Sequence, residues 1–321
     1  MTKMSSMKAL ALDMGGTHIG CGVVEQDRLL AQVSLDAEGA SSLAGLLPAV
    51  TDTLRSLLRE AGLTAQECAG IAIGFPGIVD VRNGAIHSTL KKYVDAPELD
   101  LAGWARKEFD LPLRIENDAR MALMGEQYAG AGRGVDNIVM MTLGTGIGSA
   151  TILHGRILRG VHGHAGCLGG HLTVKFDGRP CHCGNIGCAE AEASGWSMPL
   201  LAREWPGFRE STLAEVESPG FLELFAHAEK GDRVARELRE RCLHVWAANA
   251  VSLVHAYDPD MLIIGGGVMQ EPAPILSFVQ EYLNTHTWST WGKTQVRAAA
   301  LGNAAALFGA VPLLAEEMHG A

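Results

Sequence analysis

The sequence predicts an α/β protein made of two halves with related beginnings. "KALALDMGGTHIGCGVVEQ" at residues 8–26 and "NIVMMTLGTGIGSATILHG" at residues 137–155 share one form: strand, glycine-and-threonine turn, strand. In each half, short apolar runs then alternate with stretches whose apolar residues recur at helical spacing. No low-complexity segment separates the halves, so no flexible linker is expected.

Residues 8–35 contain three short apolar runs, "KALALDM", "GCGVVEQ" and "LLAQVSL", with Gly15, Gly16 and Asp27 at the turns, which predicts an antiparallel meander. Leu46, Leu47, Val50, Leu54, Leu57 and Leu58 then mark one face of a helix that Gly62 stops. "AGIAIGFPGIVD" reads as a buried strand running into a turn. A helix near Leu101–Phe109 leads into the strand "LPLRIE". Asn117 is a good N-cap for the helix "DARMALMGEQYAG". After the second strand pair come a long helix, "RVARELRERCLHVWAANAVSLVHAYDP", and a buried strand, "MLIIGGGV", stopping in three glycines. "GNAAALFGAVPLLAEEM" predicts a terminal helix. The expected division is a smaller lobe of residues 1–117, completed by the C-terminal helix of residues 303–321, and a larger lobe of residues 118–302.

With 321 residues and 47% apolar content, the chain can build a core without disulfides. Its formal net charge of −10 argues against a nucleic-acid partner, whose backbone calls for clustered Lys and Arg. Asp13 breaks the first apolar run, so no leader pattern is seen, and no run of about 18 apolar residues is present to span a bilayer. A cytoplasmic protein is expected.

Four of the seven cysteines crowd into "AGCLGGHLTVKFDGRPCHCGNIGCAEAE", residues 165–192. An odd cysteine count without a secretion signal speaks against a disulfide framework. His171 with Cys181, Cys183 and Cys188 supplies one imidazole and three thiolates, a set that satisfies tetrahedral zinc and leaves no open position. Buried free cysteines are the alternative, but Gly184 and Gly187 let the backbone fold tightly around a point. The site, spanning residues 171–188, is expected to be structural, and His182 is read as a solvated side chain.

Each glycine turn alone is a weak signal, because most only reverse the chain. Together they say more. Gly15, Gly16 and Thr17 can face phosphate oxygens while Asp13 holds Mg²⁺ through water. "LGTGIG" repeats the device without the acid, and Gly265–Gly267 let a flat base or ribose approach the backbone. Three such turns describe a nucleotide held in a cleft.

Taken in order, "LDMGGTHIG", "GFPGIVD", "ENDAR", "LGTGIG", "CHCGNIGCAE" and "IIGGGV" resemble the ROK family of sugar kinases and sugar-responsive repressors, and the likeness covers nearly the whole chain. The resemblance implies a two-lobed actin-like ATPase fold of the ribonuclease H-like kind, with an inserted zinc-binding loop. It implies zinc on His171, Cys181, Cys183 and Cys188. Phosphate contacts are implied at Gly15, Gly16, Thr17, Gly144, Thr145 and Gly146, and adenosine near Gly265 and Gly266. Asp118 corresponds to the family's catalytic base, although an acid at a helix start otherwise only steadies it. Asn117 corresponds to a hydroxyl-binding neighbour and Glu190 to a sugar-binding glutamate placed by the zinc loop. His171 is counted with the sugar contacts as well. The expected reaction moves the γ-phosphoryl group of ATP to a hydroxyl of a hexose or hexose derivative, with Mg²⁺ spreading the charge. A homodimer is expected, with no nucleic acid or membrane as partner.

Family kinases usually carry "GEIGH", whereas this chain reads "GCLGGH": Cys167 stands where the acid would be, and an extra glycine precedes His171. Glucose is therefore expected to be a poor substrate. "STLKKYVDAPELDL" lacks the asparagine-leucine pattern, and Lys91 and Lys92 are read as surface charge or as partners of an anionic substituent. Glu192 is expected on a helix surface, and His162 and His164 on a solvated loop. The alternative function is a catalytically weak sugar-sensing or regulatory member of the family. A repressor is disfavoured, since about seven residues precede the first strand, too few for a helix-turn-helix.

Overall fold

Strand β1 (Lys8–Met14) pairs antiparallel with β2 (His18–Glu25), and β2 with β3 (Arg28–Asp36), the meander expected from the sequence. The computed structural model that shows this describes residues 6–89, 92–270, 272–290 and 292–317. Contacts gather the chain into two units. The first comprises residues up to Gly134, Arg159–Ala165 and the segment from Ala300; the second comprises Val135–Leu158 and Gly166–Ala299. The division falls after Gly134, so the helix that starts at Asp118 groups with the first unit.

In the first unit, α1 (Leu47–Glu60) buries Val50, Leu54, Leu57 and Leu58, and the chain leaves it through Gly62 at φ +68°. Strand β4 (Ile71–Phe75) is buried throughout and lies parallel to β1. A short hairpin, β5 (Val79–Asp80) and β6 (Ala85–Ile86), follows. Helix α2 (Leu101–Phe109), capped by Asp100, leads to β7 (Leu113–Asn117), which pairs parallel with β4 and runs straight into α3 (Asp118–Ala129). The sheet order is β3-β2-β1-β4-β7.

The second unit repeats that order. Its sheet is β10-β9-β8-β11-β12, built from β8 (Ile138–Leu143), β9 (Ile147–Leu153), β10 (Arg156–Ile157), β11 (Met261–Gly265) and β12 (Gln295–Ala298). Three helices, α4 (Ala189–Ala193), α5 (Met198–Glu204) and α6 (Phe221–Glu229), precede the long α7 (Arg233–Tyr257), and α8 (Pro272–His286) separates the last two strands. Trp246 of α7 fills the core, with its indole N–H donating to Ala193 O at 2.8 Å. Glu192 is not the surface acid expected. It is 1% exposed because α4 packs on α7, and its carboxylate accepts from Arg179 N (2.6 Å) and pairs with Arg241.

The C-terminal segment breaks at Gly309 into α9 (Ala305–Phe308) and α10 (Ala310–Glu317), which pack against α3, β1 and β4 of the first unit. Cβ atoms at Gly125 or Gly309 would collide with the facing backbone, at Ala305 O and Met121 O respectively. Glycine at both lets α3 and α9 touch. Among the described residues no helix is long and apolar enough to cross a membrane.

Glu126 fastens this return. Fully buried, its carboxylate accepts from Ala131 N (2.8 Å), Ala300 N (3.1 Å) and Leu301 N (2.8 Å). Glu126→Ala orphans all three donors and is expected to cost roughly 2–4 kcal/mol, read as a lower urea midpoint.

Candidate active site

The β7–α3 junction orients a carboxylate. Asn117 caps α3 through Oδ1, which accepts from Arg120 N at 3.2 Å, and its Nδ2 donates to Gly77 O (3.1 Å) and Asp118 Oδ1 (2.9 Å). Ala119 N donates to the same Asp118 oxygen at 2.8 Å. Two donors on Oδ1 fix the carboxyl and leave Oδ2 as the edge that can receive a proton. Burial pushes Asp118 up to about 6, against the downward pull of these hydrogen bonds. Asp13, near the end of β1, is pushed up to about 7 by burial and by the charge of Asp118. Burial thus holds both carboxyls above their ordinary range.

Beneath the junction lies a charge network that the sequence reading missed. Glu116 is fully buried; its Oε1 accepts from Asn117 N (2.8 Å) and pairs with Arg120 (3.4 Å), while Oε2 takes Arg159 Nε at 2.6 Å. Arg159 also reaches Glu316 at 2.6 Å. Arg120 donates to Gly163 O (2.8 Å) and Ala165 O (2.6 Å), tying the loop 159–165 to α3. The signal was present as a Glu–Arg pair at i,i+4 within "RIENDAR". His162 and His164 are exposed on this loop, and with Asp80, Arg82, Asn83 and His87 they line a cavity of about 500 Å³.

The two glycine turns are held alike. In the first, Gly15 O accepts from Tyr93 Oη (3.0 Å), Gly16 O from Lys92 Nζ, and Thr17 O from Ala37 N (2.8 Å). Lys92 also donates to Ala37 O at 2.9 Å, so it braces this turn; Lys91 lies outside the described residues. In the second, Gly144 O accepts from Gly195 N (2.8 Å), Thr145 O from Trp196 N (3.0 Å), and Gly146 O from Gly144 N (3.0 Å). Gly15 N donates to Asp13 O (3.0 Å) as Gly144 N does to Gly146 O, so the N–H groups that suit anionic oxygens are those of the later residues of each turn.

At the end of β11, Gly266 has φ +96°, and a Cβ there would collide with Leu143 O. Gly267 and Val268 join Phe221, Leu222 and Phe225 in a slot of about 280 Å³ with the size and apolarity for a flat ring. Helix α6, which supplies the phenylalanines, was not anticipated.

The ligand atoms of His171, Cys181, Cys183 and Cys188 all lie within 4.8 Å of one another. Cys183 Sγ is 3.6 Å from Cys188 Sγ, and Cys181 Sγ is 3.6 Å from His171 Nδ1. A tetrahedral ion with bonds of ~2.3 Å to sulfur and ~2.1 Å to nitrogen has S–S and S–N edges of about 3.8 and about 3.6 Å, so the donor set fits one. His182 is exposed as expected, yet its ring stacks on Trp196.

Glu190 follows this cluster at the start of α4. Its carboxylate accepts from Ile147 N (2.9 Å) and Trp196 Nε1 (3.3 Å), beside the Gly144–Gly146 turn. Upstream, Ser149 Oγ accepts from Gly169 N (2.6 Å) and donates to Gly166 O (2.7 Å), and a Cβ on Gly170 would collide with Ile147 O. The paired glycines thus let this segment lie flat on β9. Cys167 is half-buried there.

Residues 9–317 match the model of the ROK family. The chain is 29% identical to the glucokinase of Thermotoga maritima over 99% of its own length and 100% of the relative's. It is 31% identical to the glucokinase of Streptomyces coelicolor, covering 96% of this chain and 97% of that one. Among solved structures, the ROK hexokinase of Thermus thermophilus superimposes with a TM-score of 0.80 at 31% identity, over 98% of this chain and 100% of the other. A match spanning nearly all of both chains, on a mixed α/β fold carrying the His/Cys cluster, places this chain in the ROK family, in its sugar-kinase branch.

Proposed function

We propose that the protein transfers the γ-phosphoryl group of ATP to a hydroxyl of a hexose or hexose derivative, with Asp118 as general base. The observation that carries this reading is the state of Asp118: one oxygen is pinned by Asn117 Nδ2 and Ala119 N, and burial sets its pKa at about 6. A carboxyl so placed is largely ionised at neutral pH and close enough to it to take a proton during attack. The sugar oxygen forms a bond to the γ-phosphorus as its proton passes to Asp118 Oδ2. The bond from that phosphorus to the β,γ-bridging oxygen breaks, and ADP leaves.

Asn117 is assigned the task of orienting Asp118, since both hydrogens of its amide are engaged. The turns at Gly15–Thr17 and Gly144–Gly146 are assigned the phosphates, and the slot beside Gly267 the adenine. Mg²⁺, held through water by Asp13, would neutralise phosphate charge. Glu190 and the outward nitrogen of His171 are assigned to sugar hydroxyls, and the cavity beside His162 and His164 to a substituent of the acceptor. The cluster of His171, Cys181, Cys183 and Cys188 is assigned zinc in a structural role, because four protein donors leave no position for substrate.

Asp118→Asn keeps the hydrogen bonds but cannot take a proton, so kcat in a coupled assay over a sugar panel is expected to fall roughly a hundredfold or more, with substrate binding retained. Wild-type kcat should decline below about pH 6, where Asp118 becomes protonated.

Asp13 yields a stability test of opposite character. Its folded pKa of about 7 lies above the ordinary 3.8 of an aspartate, so its stabilising influence is complete below pH 3.8 and lost as pH rises to 7. Without divalent cations or nucleotide, Asp13→Asn should therefore raise the thermal midpoint at pH 8 and leave it nearly unchanged at pH 4.

Protein purified without chelators should carry about one zinc per chain by elemental analysis. A metal-free preparation with full activity would remove the assignment.

A further inference from the structure

Trp196 is where three features of the second unit meet. Its indole lies on the ring of His182, with centroids 4.1 Å apart and planes inclined by 23°. The indole also packs against Cys181, Cys188 and Ala191. Its Nε1 donates to Glu190 Oε1 at 3.3 Å, and its backbone N–H donates to Thr145 O at 3.0 Å. Glu190 is held at its other oxygen by Ile147 N, the residue that follows the glycine turn.

His182 sits in the chain between Cys181 and Cys183. Both neighbours are gathered in the cluster, so the backbone that carries the imidazole is placed by it. If an ion holds the cluster, its loss would loosen both His182 and the packing of Cys181 and Cys188. The indole would then keep chiefly its hydrogen bond to Glu190.

We propose that Trp196 is a positioning residue that passes the order of the metal loop to Glu190 and to the Gly144–Gly146 turn. Occupancy of the cluster thereby sets how tightly this unit holds sugar and nucleotide phosphate. The sugar half of the inference rests on the assignment of Glu190 to sugar hydroxyls; the nucleotide half does not.

The test uses the full chain with its metal, comparing wild type with Trp196→Phe, His182→Ala and Glu190→Gln, and glucose and ATP as probes. Six tryptophans are present, so the emission of Trp196→Phe is subtracted from wild type to isolate Trp196. Stripping the metal should red-shift that difference spectrum and weaken binding of both probes by calorimetry. Trp196→Phe should keep its metal and its kcat while the KM for glucose rises roughly threefold to tenfold, the effect of one lost hydrogen bond. In this variant, stripping the metal should cost less affinity for ATP than it costs wild type.

His182→Ala changes an exposed side chain, so it guards against misfolding of Trp196→Phe. Its emission with metal bound should already be shifted part of the way towards that of stripped wild type, and an unshifted emission would overturn the part given to the stack. The proposal is overturned by a difference spectrum indifferent to the metal, by a Trp196→Phe protein that loses its metal, or by an equal loss of ATP affinity on stripping in variant and wild type. Glu190→Gln separates the two readings. A normal KM for glucose in that variant removes Glu190 from the sugar site and leaves the ATP comparison to decide the relay. A raised KM there with a normal one in Trp196→Phe overturns the relay alone.

Discussion

The buried carboxylate of Glu116 holds the Asn117 amide and the guanidinium groups of Arg120 and Arg159 at once. Through them it fixes the turn from β7 into α3 and the loop that Arg120 grips. Leaving one partner of a buried pair uncompensated costs about 3–5 kcal/mol, a sizeable part of the 5–15 kcal/mol that keeps a domain folded. The network is therefore a constraint that the surrounding sequence must honour. Asp118 inherits its position from it, one residue beyond the N–H that Glu116 accepts.

A second regularity runs through both units. Each sheet places a glycine turn between its first two strands, and the turn's carbonyls are occupied, all from elsewhere in the unit in the first and all but Gly146 O so in the second. The donors differ in kind: a tyrosine hydroxyl, a lysine and an amide in one unit, backbone amides in the other. The shared outcome is a strip of backbone whose remaining polarity is positive. Only the first turn has a carboxylate, Asp13, close behind it in the chain.

Much of this was legible in the sequence because it is local. The meander, the long α7 and the Asn117 cap follow from period, turn residues and a single side chain. The gathering of His171 with three cysteines was legible for another reason, since its four side chains fall within eighteen consecutive residues. What escaped was non-local. Arg159 lies 43 residues from Glu116 and 157 from Glu316, so no window of sequence holds the network. Glu192 was misread because a carboxylate in a short helix looks solvated until Arg179 and Arg241 are brought to it by the fold. The slot beside Gly267 depends on α6, about 40 residues earlier in the chain, and the glycines alone do not announce it.

The first unit is assembled from three separated stretches of chain, and the last of them, from Ala300, supplies helices that pack on α3, β1 and β4. A ribosome delivers the chain in the opposite spirit, one residue after another. All of the second unit, through Ala299, has been synthesised before α9 and α10 exist. The nascent first unit must therefore wait with one flank of its sheet uncovered, the face of Ala11, Gly22 and Ala72 on which Leu307 of α9 packs, an exposure that invites chaperones or aggregation. Synthesis past Glu317 ends it, so a stop codon falling just after Ala299 yields a protein whose second unit has all of its own residues while the half bearing Asp13 and Asp118 lacks α9 and α10.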